Sequence, residues 1–77
     1  MTPYQVSVWV PSARPDQAKL IKLFGTYADC DDEALRTVAD TMPPEWQVDR
    51  ITGVLSRFEA EILDLVPGEV RELPLSR

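Results

Sequence analysis

The sequence predicts an α+β fold, a small antiparallel or mixed sheet of two to four strands with three helices packed on one face. Three observations lead there: an opening run with two-residue alternation, internal segments whose apolar residues recur at three and four, and a second strand-like run near the carboxyl end. Seventy-seven residues of 44% apolar composition suit one domain over 1–77, with a core in about 4–66 and a C-terminal hairpin arm in 67–77. A chain so short hides only about 60–65% of the surface it exposes when unfolded, so its stability margin is small.

Tyr4, Val6, Val8 and Val10 alternate with Gln5, Ser7 and Trp9, the pattern of a strand with one face buried, and Pro11 ends it. Ser12-Ala13-Arg14-Pro15 reads as a turn into a helix, with Pro15 in the first turn, where a missing amide costs nothing. Asp16 suits the positive end of the helix dipole. Gln17, Leu20, Ile21, Phe24, Tyr27 and Ala28 then share one helical face, and Gly25 weakens or ends the last turn. Asp29 or Asp31 can cap a second helix with the buried stripe Leu35, Val38, Ala39 and Met42, which Pro43-Pro44 terminates.

Residues 45–48 fit either a short strand or the lead-in to a helix, and the extended reading is preferred. Asp49 would cap a third helix with Ile51, Val54, Leu55 and Phe58 inside, although Gly53 costs it roughly 1 kcal/mol relative to alanine. Glu61 to Val66 reads as a second strand. Pro67 and Gly68 stand where a type II turn wants them, so Val70 to Leu73 can fold back as an arm that Pro74 restricts to an edge. Ser76-Arg77 is expected to fray. The expected core is Val8, Ile21, Phe24, Leu35, Val38, Leu55, Phe58 and Leu63, with Tyr4, Val6 and Val8 facing the helices.

Thirteen acidic against eight basic residues give a net charge of −5, which disfavours attraction to phosphate backbones and anionic membranes. Neither nucleic acid nor membrane is an expected partner. The N-terminal residues lack the basic and apolar regions of an export signal, and no apolar run approaches the ~20 residues that span a bilayer. The single cysteine, Cys30, can make no internal disulfide, which fits the reducing cytoplasm.

No catalytic, metal or cofactor site is expected. Histidine, the commonest general base and metal ligand, is absent, and Cys30 sits among Asp29, Asp31, Asp32 and Glu33, whose charge opposes thiolate formation. Asp29, Asp31 and Glu33 alternate like the start of a calcium loop, yet Ala34 occupies the place where the turn needs glycine. A charged helix start explains them more simply. Glu59 with Glu61 reads as solvated surface, and Gly25, Gly53 and Gly68 are too scattered to cradle a phosphate.

Val6-Ser7-Val8-Trp9-Val10 as an opening strand, Lys19-Leu20-Ile21-Lys22 in a first helix, and Glu33-Ala34 followed by Val38 and Pro43 in a second resemble the C-terminal domain of the bacterial ribosomal stalk protein. The Clp protease adaptor shares that fold. The resemblance covers about Tyr4 to Val66 and implies a protein-binding module. Lys22 matches one basic position of the family's factor-recruiting surface, but Tyr27-Ala28-Asp29-Cys30-Asp31 replaces the glycines and lysine of its turn.

Two candidate contact surfaces follow. Leu23, outside the helical stripe, is flanked by Lys19, Lys22 and Thr26, so an apolar side chain is expected in a basic rim. Trp9, Ile62 and Val66 are expected on the sheet face that the helices leave open, to be covered by a partner protein, by a second copy of the chain, or by the C-terminal arm. The expected function is that of a non-enzymatic protein-binding regulator or adaptor that occupies a partner's surface. The alternative is a small acidic inhibitor, of the kind mobile elements encode, presenting Asp29, Asp31, Asp32, Glu33 and Asp40 in place of nucleic-acid phosphates.

Overall fold

A computed structural model describes residues 1–11 and 19–74. The turn expected at 12–15, the helix start at Pro15 and Asp16, and the frayed 76–77 lie outside them. The elements are β1 (Thr2–Pro11), β2 (Lys19–Ala28), α1 (Asp31–Thr41), β3 (Gln47–Val54), α2 (Arg57–Ile62) and β4 (Val70–Glu72). The strands form one antiparallel sheet in the order β3-β1-β2-β4. The class is α+β, but the described residues form two helices in place of three.

β1 is the expected strand, and its register with β2 sorts the side chains. Tyr4, Val6, Val8 and Val10 stand opposite Thr26, Phe24, Lys22 and Leu20 and share one face with them. On that inner face α1 lays Ala34 and Val38 against Val6, Val8, Val10, Phe24 and Ala28, all buried. Trp46 closes the rim, its ring centroid 6.3 Å from that of Phe24. Helix α1 ends just before Pro43-Pro44 as read from the sequence, but it buries Ala34 and leaves Ala39 of the expected stripe exposed, and its N-cap is Cys30, between the two aspartates expected to cap it.

The expected first helix is corrected: its described part, Lys19–Ala28, is strand β2. Apolar side chains on both faces of a strand form a near-continuous run, which periodicity cannot separate from a helix. Leu20, Ile21, Leu23 and Phe24, broken only by Lys22, make such a run.

The expected third helix divides. Residues 47–54 are β3, an edge strand whose register with β1 shifts between Gln5 and Val6 and again between Ser7 and Val8. Those bulges bring Val48 and Ile51, three residues apart, to consecutive inner positions and so imitate helical spacing. The chain then enters α2 through a capping box. Glu59 N donates to the Ser56 hydroxyl at 3.0 Å, and Ser56 N donates to the Glu59 carboxylate at 2.9 Å.

The expected strand over Glu61–Val66 is also corrected. Glu61 and Ile62 finish α2, Leu63 is its C-cap, and Asp64 turns the chain with φ 56. The Pro67-Gly68 turn does form, Glu69 N donating to Val66 O at 3.2 Å with Gly68 at φ 90. The edge strand after it pairs with β2, not with residues 61–66.

A second apolar cluster, Leu55, Ala60 and Leu65 with Tyr27, Leu63 and Leu73, covers part of the outer face. Gly25 is the contact point. A Cβ there would lie 2.8 Å from Leu55 Cδ1 and about equally close to Leu73 and Leu65 side chains, at 3.5 and 3.6 Å. The two helical segments thus cross opposite faces of the sheet. Two expected core residues are corrected with them: Ile21 is 41% and Phe58 is 70% exposed, because β2 turns Ile21 outward and α2 buries Ala60 in place of Phe58.

Candidate protein-contact surface

Side chains alternate along β1 and β2, so Pro3, Gln5, Ser7 and Trp9 share the outer face with Ile21, Leu23, Gly25 and Tyr27. The Leu55–Leu65 segment covers the end around Gly25 and Tyr27. At the other end Trp9 stands directly opposite Ile21, with Leu23 diagonal to it. Trp9 and Leu23 are half-buried, and none of the three belongs to either apolar cluster.

Beside this aromatic-aliphatic end the outer face is polar and satisfied. The buried Ser7 hydroxyl donates to the Asp49 carboxylate at 2.9 Å, with the Arg50 carbonyl also in reach at 3.2 Å. Gln5 Nε2 donates to the Thr52 hydroxyl at 3.0 Å. Among the described residues, no buried side-chain polar atom lacks a partner.

Ile62 and Val66, expected beside Trp9 on the sheet, lie elsewhere. Ile62 is in the last turn of α2 and Val66 is in the turn that follows; both are exposed. Ile62 joins Phe58, one helical turn before it, in an exposed apolar surface on α2. A groove of about 230 Å³ runs there, lined by Glu59, Ile62, Leu63, Leu73 and Pro74. Leu73 N donates to Leu23 O at 2.8 Å, so the groove adjoins the open half of the sheet. Phe58 and Leu73 were not expected in a contact surface; the Ser56-x-x-Glu59 capping signature was the signal that could have placed α2 and turned Phe58 outward.

The basic rim expected around Leu23 does not form as read. Adjacent strand residues face opposite ways, and Lys22 lies on the inner side, where its Nζ donates to Glu72 at 3.0 Å. Lys19 begins β2 opposite Pro11.

At the start of α1, Asp31, Asp32 and Glu33 occupy the first turn, and Asp29 N donates to the Glu33 carboxylate at 2.7 Å. Tyr4 reaches this turn from β1. Partial burial of its ring, and next the Asp31 carboxylate beside the hydroxyl, raise its pKa above the ordinary 10.0. Cys30 is free and exposed. Among the described residues, no group of three His, Cys, Asp or Glu side chains stands close enough to hold a metal ion, and no helix is long and apolar enough to cross a membrane.

No protein-family model, curated protein or solved structure gives a significant match to this chain.

Proposed function

We propose that the protein is a non-enzymatic, cytoplasmic binding regulator or adaptor that acts by occupying another protein's surface. The observation that carries this reading is Trp9, in ladder register with Ile21 on the half of the outer face that the Leu55–Leu65 segment leaves uncovered, and in neither apolar cluster of the described residues. Tryptophan is a frequent interface anchor because its large, stiff ring loses little entropy on burial. The occupant is a partner protein or a second copy of the chain. Trp9→Ala should therefore weaken association more than folding, as read by sedimentation sizing and partner capture beside melting curves. A Trp9→Ala protein that loses its stability while the parent is monomeric and without a partner makes Trp9 a core residue and overturns the reading.

A second reading is the acidic inhibitor. Asp29, Asp31, Asp32 and Asp40 are all exposed, which favours it. Binding by charge mimicry should weaken steeply with added salt, whereas binding through the apolar face should not.

A further inference from the structure

We propose that the groove beside α2 takes a basic, apolar-anchored segment of another protein, one aliphatic or aromatic side chain entering the groove with lysine or arginine on either side. This rests on the reading of the outer side as a protein contact and adds the partner's chemistry. At about 230 Å³ the groove is smaller than the ~300–1,000 Å³ of pockets that enclose small molecules, and suits a single side chain. Its wall is apolar at Ile62, Leu63, Leu73 and Pro74, and Phe58 extends that surface along the helix.

The charge around this apolar strip is predominantly negative. Glu59, Glu61 and Asp64 are exposed, and among the described residues none of them is in an ion pair, whereas Glu69 and Glu72 are matched by Arg71 and Lys22. Glu59 gives one carboxylate oxygen to the Ser56 amide and keeps the other. Arg57 is the single cation between 57 and 64, so one positive and three negative charges leave −2 there. A second copy of the chain would bring the same acidic rim and a net charge of −5, setting like charges together. A basic segment meets complementary charge.

Fluorescence anisotropy with a short labelled peptide alternating lysine and leucine, against one alternating glutamate and leucine, tests this. The basic peptide should bind and the acidic one should not. Ile62→Ser should weaken binding about tenfold, as loss of an interface anchor does, with its melting curve showing that it folds. Glu61→Lys should weaken binding and flatten its salt dependence. The Asp31→Asn, Asp32→Asn double variant changes net charge by the same amount and should bind like the parent. Equal loss in that double variant, unchanged binding by Ile62→Ser, or no binding of the basic peptide overturns the proposal. If both peptides bind, the assigned partner chemistry is wrong while the protein-contact reading stands. If neither binds but Trp9-dependent association persists, the groove proposal alone fails.

Discussion

A methyl group at position 25 would press on Leu55 from 2.8 Å, with Leu65 and Leu73 behind it, and Leu55 is itself buried. One methyl can be met by a rotation of Leu55, but a branched side chain cannot. Gly25→Val should destabilise the fold by about 1–3 kcal/mol through overpacking, read as a fall in the urea midpoint. Gly53 offers the contrast, since nothing lies within 4 Å of its built Cβ and its φ is not positive. Gly53→Ala should leave stability unchanged or raise it by up to about 1 kcal/mol, because it restricts the unfolded chain. Tyr4 makes a second residue-scale prediction. Its folded-state pKa is raised, so above pH 10.0 the unfolded chain releases the proton first. The stability Tyr4 contributes is whole below that pH and is lost as pH climbs toward the raised value. Denaturant midpoints measured through that window should fall more steeply in the parent than in Tyr4→Phe.

The elements are held by unequal caps. Helix α2 has only six residues, yet Ser56 and Glu59 close both halves of a capping box. Helix α1 has eleven residues, but its N-cap side chain makes no hydrogen bond. Cys30 already has the extended backbone of a cap residue, so a hydroxyl there can accept from the first-turn amides. Cys30→Ser should stabilise the protein by about 1 kcal/mol, raising its melting temperature; an unchanged or lower value would mean that the first turn is already satisfied. Strand β3 shows the opposite economy. Its two bulges disturb the ladder with β1, yet they let Val48 and Ile51 reach the inner cluster from an edge. They also twist that edge away from flat pairing with another chain.

For the whole molecule, strand order sets local stability. β1 has partners on both sides along most of its length, whereas β4 holds three residues of β2 and β3 lies at the other edge. Amide hydrogen exchange should be slowest at Val6 and Val8, which are fully buried, and fastest among strand residues at Val70–Glu72. Equal protection in β1 and β4 would contradict this order. Both elements of the proposed contact lie on the side of the sheet opposite α1: Trp9 with Ile21 on the open half, and the α2 groove joined to it through Leu73 and Leu23. Changes there should alter association more than folding.

Local chemistry alone determined the opening strand, helix α1 and its stop at Pro43-Pro44, and the Pro67-Gly68 turn. In each, neighbouring residues carry the whole instruction: alternation for one buried face, an amphipathic stripe closed by prolines, a glycine at positive φ. Tertiary structure decided the rest. Lys19–Ala28 became a strand because it pairs with β1 and β4 and packs Phe24 and Ala28 on the α1 side and Tyr27 against the Leu55–Leu65 segment, a fact about those partners rather than about its own spacing. The bulges in β3 exist only against β1, and they gave a strand the period of a helix. The candidate site divides in the same way. Trp9 was legible as outward-facing from alternation, whereas Phe58, Ile62 and the groove depend on which side of a six-residue helix is buried, and Leu55, Leu65 and Leu73 settle that from outside it.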